Sequence, residues 1–441
     1  MQAVIPRLTI EKIVFKGYGL GFCEGRAIFV ANALPGDIVD VTITRRKNDV
    51  SFGTIHEIHQ SSQYRIKSGC EVFGTCGACD WLNISYPQQL AFKREITQNE
   101  FNRLNITVGT VKPSPRQQFY RNKSFMPVGI VSGKPAIGMY ARKSHEIVPH
   151  RQCLLHPNVF DQVAELFLEY MQKVNATPYN ETTHTGAIRF LGLRENSEGN
   201  LLVVVVTRSG KLPFTRQLVR MLTESFPQIS GVVQNINRKQ GNRITGEENK
   251  LLYGKPHLLE TLGDYTFALD NKVFFQVNAG QTLQMYDYIR EQIVPGSRVI
   301  DAYSGVATIG IYISGGVEEV TCIENNPDVL ELALENIARN NCTNVNYVND
   351  DTAACLEACL REYRADTIIF DPPRKGLDSA VIKAATTEGV KRIIYISCNI
   401  STQVRDIGLL REKGFELVSV QPFDMFPNTY HIENVCVLNQ S

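Results

Sequence analysis

Apolar Val39, Val41 and Ile43 alternate with polar Asp40, Thr42 and Thr44, the period of two that marks a half-buried strand. Pro35-Gly36-Asp37 supplies the turn before it. Further strands are expected at 8–15, 26–30 and 52–58, with Gly17, Gly19, Gly21 and Gly25 in the connections. A small turn-rich all-β unit of this kind closes most economically as a five-stranded OB-like barrel over residues 1–59. A cysteine-rich loop follows at 69–80, then a run of helix formers at 86–104. From about 115 to 270 the pattern is mixed: basic and irregular first, then a buried strand at 201–207 and a helix at 213–226.

Beyond about 272 strand and helix patterns alternate, as a doubly wound α/β sheet requires. Strands are expected at 298–302, 319–324, 345–348, 367–371, 392–397, 416–420 and 432–438. Between them Leu330, Ala333, Leu334 and Ile337 make one apolar helical face after the first-turn acid Asp328, and a second helix at 401–413 is closed by Gly414. The expected architecture is multidomain α/β: an OB-like barrel over 1–59, a mixed α+β central domain over 60–270, and a Rossmann-like domain over 271–441.

At 441 residues the chain exceeds one ordinary core, which agrees with that division. The longest wholly apolar run, 201–206, is far short of the ~20 residues of a membrane span. The N-terminus lacks the pattern of a signal peptide, so a cytoplasmic protein, monomeric and without a membrane partner, is expected. The net charge of +1 hides an asymmetry: residues 112–151 carry eight Lys/Arg against one acid, whereas 295–441 carry twelve Lys/Arg against twenty Asp/Glu. A basic middle of this kind points to a polyanion partner.

The strand at 298–302 runs into Asp301-Ala302-Tyr303-Ser304-Gly305-Val306-Ala307, a tight turn that opens a helix. Glu324 ends the next strand, where an acid takes the ribose hydroxyls of a bound nucleoside. Ala307 stands where a dinucleotide fingerprint has a close-approach glycine, so the turn alone reads equally as a cofactor site or an ordinary strand-to-helix turn. Asp371-Pro372-Pro373-Arg374 ends another strand, and its prolines present the Asp371 carboxylate rigidly at the ligand-binding edge. Cys398, after the strand at 392–397, is placed as a nucleophile. Glu433 borders an apolar strand and reads either as a solvated acid or as a base strengthened by burial.

Nine of the remaining cysteines divide into two groups. Cys322, Cys342, Cys355, Cys359 and Cys436 have no partner pattern and read as structural. Cys70, Cys76 and Cys79, with Gly74 and Gly77 between them, form a loop suited to a metal or an iron–sulfur centre. Zinc usually shows two close pairs. Three clustered thiols with a remote fourth, Cys153 at the end of the basic block, are closer to cluster ligation.

At these residues the chain resembles the RNA 5-methyluridine methyltransferase family, which contains the bacterial 23S rRNA uracil-C5 and tRNA uracil-54 enzymes, over nearly its whole length. The resemblance implies that the barrel is a TRAM RNA-binding domain, and that Cys70, Cys76, Cys79 and Cys153 ligate a 4Fe-4S cluster. It makes Phe274-Phe275-Gln276-Val277-Asn278 the opening of the catalytic domain, with Gln276, Tyr303, Glu324 and Asp371 at S-adenosylmethionine. Cys398 becomes the nucleophile and Glu433 the base. The helix at about 86–112 is implied to pack with the catalytic domain. Ser304 and Ala307 depart from the cysteine and glycine common in the family's first motif, and Tyr430 stands where a small residue is frequent.

The implied reaction is C5 methylation of a uridine flipped out of RNA, with residues 112–151 gripping phosphates. TRAM plus cluster points to 23S rRNA; tRNA uridine 54 is the alternative substrate. A non-catalytic iron–sulfur RNA-binding protein is the distant one. A cytosine-C5 enzyme would employ a second catalytic cysteine where this chain has Glu433.

Overall fold

The computed structural model describes residues 3–441 except 388. The N-terminal unit is a six-stranded sheet of Val4–Thr9, Lys12–Val14, Tyr18–Cys23, Arg26–Ala31, Ile38–Lys47 and Val50–Gln60, wrapped around Leu8, Ile10, Ile28, Val30, Val39, Val41 and Ile43. Two expectations are corrected here. The single strand expected at 8–15 is two, broken where Ile10 N–H turns to the Asp37 carbonyl and Glu11 N–H to the Leu20 carbonyl. The glycine-rich stretch expected as a connection is the strand Tyr18–Cys23, which brings the count to six. Its glycines serve close packing, since a Cβ on Gly19 would lie 2.6 Å from the Ala33 oxygen and one on Gly21 2.4 Å from the Thr9 oxygen.

The middle of the chain forms a seven-stranded sheet in the spatial order Glu248–Gly254, Ile229–Ile236, Leu201–Thr207, Ile188–Glu195, Lys123–Val131, Lys134–Tyr140 and Ile147–Pro149. Every residue of Leu201–Thr207 is buried, in keeping with its unbroken apolar run. Helices Asn158–Lys173 and Thr215–Ser225 cover one face through Phe160, Phe167, Leu218 and Leu222.

The C-terminal sheet runs Val345–Val348, Glu319–Ile323, Arg298–Ala302, Thr367–Phe370, Arg392–Ser397, Glu433–Gln440, Phe415–Phe423. Its first five strands are mutually parallel, and Glu433–Gln440 lies antiparallel to both neighbours. Strand order reverses beside Arg298–Ala302, where such sheets open a ligand crevice at their carboxyl edge. Helix Tyr86–Phe101 joins this unit: Phe92, Ile96 and Phe101 share a core with Val404, Ile407 and Leu410 of helix Ile400–Arg411. So does the hairpin Leu258–Leu262 with Tyr265–Leu269, whose Leu262, Phe267 and Leu269 pack beneath the sheet, so the division expected at 270 falls after a hairpin that packs with the C-terminal unit.

Helix Leu330–Arg339 buries Ala333 and packs Ile337 against the core as its apolar face marks, but its inward face is shifted toward Asn336 and away from Leu334. Leu334 is 50% exposed while Asn336 is fully buried, because the Asn336 amide accepts from Ala268 N–H at 2.7 Å and donates to the Ala268 carbonyl at 3.3 Å. Helices Ala279–Glu291, Thr352–Tyr363 and Ser379–Ala385 complete the layers. No helix of the described residues is long and apolar enough to cross a membrane.

Candidate active site

Tyr303, Glu324, Asp371 and Cys398 each follow the last residue of a parallel strand, so the sheet delivers all four to its carboxyl edge. The turn after Arg298–Ala302 is sharp: Tyr303 (φ +65°) and Ala307 (φ +63°) both adopt left-handed backbone, which is costly outside glycine. Neighbours hold it there. Gly305 N–H donates to Glu324 Oε2 at 3.1 Å and its carbonyl accepts from the Tyr347 hydroxyl at 2.7 Å, while Gly310 N–H donates to Asp301 Oδ2 at 2.9 Å. Asp301, absent from the sequence-predicted set, is fully buried, and burial raises its pKa to about 7. Gln276 is buried two residues before Asn278, which caps helix Ala279–Glu291.

The antiparallel register pairs Ser397 with Asn434, so Cys398 and Glu433 leave the same end of adjacent strands. Glu433 is 3% exposed. Burial raises its pKa well above the usual carboxylate range, the charge of Asp371 adds to the rise, and Arg374 opposes it. Burial raises Asp371 as well. Two carboxyls so placed cannot both be charged at little cost, so the pair retains a proton to unusually high pH. The Cys398 thiol is also raised, by burial and then by Glu433, and drawn back by a hydrogen bond from the Arg374 side chain and by its charge.

Arg374 is a side chain at this pocket that sequence reasoning passed over, although its motif was singled out. Its carbonyl accepts from Asn399 Nδ2 at 2.7 Å and Thr402 Oγ1 at 3.3 Å, which fixes the turn beside Cys398. In front of the thiol lies a cavity of about 300 Å³ lined by Lys16 of the N-terminal unit, Arg374, Cys398, Asn399, Tyr430 and His431. The Tyr430 and His431 rings lie 4.2 Å apart, and burial holds the imidazole neutral, with a pKa of about 4. A thiol and aromatic walls around one small pocket, with a buried carboxyl at the same end of the adjacent strand, suit covalent chemistry on a flat ring.

Residues 215–441 match the tRNA (uracil-5-)-methyltransferase family, and residues 6–56 match the TRAM domain. The chain belongs to that methyltransferase family. An uncharacterized RNA methyltransferase of Halalkalibacterium halodurans is 33% identical over 98% of this chain and 96% of its own; one of Listeria innocua is 34% identical over the same shares. The solved tRNA (uracil-54, C5)-methyltransferase of Pyrococcus abyssi, in complex with S-adenosyl-L-homocysteine, superposes with a TM-score of 0.81 at 26% identity, covering 98% of this chain and 99% of that one.

The methyltransferase gathers a second set of reactive side chains away from this pocket. Cys70, Cys76, Cys79 and Cys153 line one small cavity whose walls include Phe73, Leu82, Met139 and Leu154. Burial raises the Cys76 and Cys79 thiols and the other thiols of the set raise them further, as expected of donors that need a cation to neutralise them. Cys153 stands at about 7: burial pushes it up, and the His156 imidazole more than compensates. His150 and His156 are further residues that sequence reasoning missed, despite lying three positions either side of Cys153. Asp161 Oδ1 lies 3.3 Å from His150 Nε2 and 2.9 Å from His156 Nε2 and orients both rings. The four thiols could hold a metal or a cluster, with the imidazoles behind Cys153.

The basic stretch is not one phosphate surface. Lys123 turns inward, where its Nζ donates to the Asn271 and Val273 carbonyls at 3.1 and 3.2 Å, and burial followed by the charge of Arg194 lowers its pKa to about 7. Arg142 pairs with Asp80, and Lys143 Nζ donates to the Tyr18 hydroxyl at 2.8 Å. Lys112, Arg116, Lys134 and Arg151 remain exposed.

Proposed function

We propose that this methyltransferase converts a uridine of RNA into 5-methyluridine, using S-adenosylmethionine bound at the carboxyl edge of the C-terminal sheet, where Tyr303, Glu324 and Asp371 stand, with Gln276 as a further contact. The donor, when bound, supplies an electrophilic methyl group. Uracil C5 is too weak a nucleophile to take that group unaided. Ionised Cys398 adds to C6, which makes C5 enolate-like, and splits one hard step into easier ones. After methylation at C5, Glu433 removes the C5 proton; the C5–H electron pair restores the double bond and expels Cys398 from C6. Burial strengthens Glu433 as a base. Arg374 favours the thiolate that attacks.

The observation that carries this reading is the register that brings Cys398, at the mouth of the pocket, and buried Glu433 to the same end of adjacent strands. The test is the fate of the protein–RNA adduct. Cys398→Ala should form none, whereas Glu433→Gln should accumulate a methylated adduct that survives denaturing electrophoresis at about one per enzyme. Wild-type turnover by folded Glu433→Gln, or an adduct with Cys398→Ala, would overturn both assignments.

The four-thiol cavity fits a 4Fe-4S cluster on Cys70, Cys76, Cys79 and Cys153, and together with the TRAM domain this favours 23S rRNA as substrate. The likeness to the Pyrococcus abyssi enzyme favours tRNA uridine 54 instead. Mapping of 5-methyluridine in rRNA and tRNA from a deletion strain decides between them: loss from 23S rRNA is the expected result.

A further inference from the structure

Beyond a few bonds within itself, the segment that leads into Glu433 makes its polar contacts with distant parts of the chain. Asp424 pairs with Lys93, both side chains wholly buried, with Nζ 2.5 Å from Oδ1. The Met425 carbonyl accepts from Asn278 Nδ2 at 3.1 Å, the Phe426 carbonyl from Lys93 Nζ at 3.0 Å, and the Pro427 carbonyl from the Tyr120 hydroxyl at 3.0 Å. Asn428, in left-handed backbone at φ +65°, is held at every polar group. Its carbonyl accepts from Asp80 N–H and Trp81 N–H, each at 3.0 Å. Its own N–H donates to Gln89 Oε1 at 2.9 Å, its Oδ1 accepts from Gln89 Nε2 at 3.1 Å, and its Nδ2 donates to the Gln117 carbonyl at 2.7 Å. Gln89 Nε2 also reaches the Trp81 and Ile84 carbonyls, both at 3.0 Å.

Asp80 and Trp81 directly follow Cys79. One carbonyl therefore connects the cysteine loop to the stretch that carries Tyr430, His431 and Glu433, and Gln89 bridges both sides of that connection. We infer that Gln89 and Asn428 are positioning residues for Glu433, tying the base-bearing segment to the cysteine loop. Gln89 is 2% exposed and does not line the pocket, so it acts on the reaction only through Asn428. The inference rests on Glu433 being the base, and its consequence is specific. Loosening the tie slows proton removal and adduct release, whereas attack by Cys398, held by a different strand and turn, keeps its rate.

The test is Gln89→Glu in the full-length, iron-loaded enzyme. It keeps the shape and the acceptor for Asn428 N–H but removes the donor to Trp81, Ile84 and Asn428. Hydrogen exchange should quicken across 424–433, with Cys398 peptides and iron content unchanged. In single turnover, methyl transfer should stay within about twofold of wild type while the adduct lives about tenfold longer, since small misplacements of a reacting group are costly. Wild-type exchange across 424–433, or equal slowing of transfer and release, would overturn the inference. Asn428→Gly, which retains the left-handed backbone and removes the side-chain hydrogen bonds, should reproduce the exchange result and guards against a folding defect peculiar to the buried carboxyl. Glu433→Gln distinguishes the two readings: its failure to trap an adduct sinks the base assignment, whereas unchanged exchange in Gln89→Glu sinks the tie alone.

Discussion

Removal of the buried cation at the base of this segment should unfasten the catalytic unit. In Lys93→Met the chain stem survives but Asp424, with no exposed surface, loses its partner. Breaking a buried pair from one side costs ~3–5 kcal/mol, and the missing hydrogen bond to the Phe426 carbonyl adds ~1 kcal/mol. Against a typical total of ~5–15 kcal/mol the variant keeps a fraction of its stability. Lys93→Met with Asp424→Leu removes both charges, so that only the Phe426 term of ~1 kcal/mol should remain. Trp81, the only tryptophan of the chain, is 1% exposed with its ring 5.9 Å from Lys93 Nζ, so its fluorescence in a urea titration reports on this junction. A single-variant cost under ~1 kcal/mol, or a double variant as unstable as the single one, would refute the reasoning.

Adduct formation needs Cys398 ionised, and its thiol lies above the ordinary 9.0, so the rate should climb with pH through the neutral range. Arg374→Met removes the guanidinium that draws the thiol down and should move that climb to higher pH; an unmoved profile contradicts the role of Arg374. For RNA binding, neutralising Arg116 and Arg151 should flatten the salt dependence by roughly 0.7–0.9 for each phosphate they no longer neutralise. Lys123→Met should leave that slope unchanged because its amine faces two carbonyls, and a flattened slope there would place the RNA surface elsewhere. Protein prepared without oxygen should contain iron and sulfide in proportion to Cys70, Cys76, Cys79 and Cys153, and stoichiometric zinc without sulfide would exclude the cluster.

The C-terminal sheet was legible because its strands are apolar runs ending in turn residues, and period and punctuation are local properties. Cys398 and Glu433 could be suspected for the same reason, each standing at the end of such a run. What stayed hidden depends on partners remote in sequence. Gly19 and Gly21 read as loop residues because nothing nearby reveals the Ala33 and Thr9 carbonyls pressed against them. Asn336 reads as a solvent-facing residue until the Ala268 backbone appears beside it. Lys123 counts as a free cation in any charge tally, yet two carbonyls of a later segment have claimed it. Gln89 and Lys93 sit four apart on a helix of weakly polar character, and only the fold shows that they meet the approach to Glu433.

The distance along the chain between Lys93 and Asp424, 331 positions, bears on how the enzyme is made. Helix Tyr86–Phe101 leaves the ribosome early, with Phe92, Ile96 and Phe101 lacking the surface they cover until the last fifth of the chain has been synthesised. Closure over so long a separation is slow and leaves apolar surface uncovered meanwhile. The strand Glu433–Gln440 inserts between Arg392–Ser397 and Phe415–Phe423, so the sheet cannot close before residues 433–440 have been synthesised. A nascent chain that has not yet reached these residues can therefore hold a folded N-terminal barrel while the pocket at the sheet's carboxyl edge still lacks the strand that begins at Glu433.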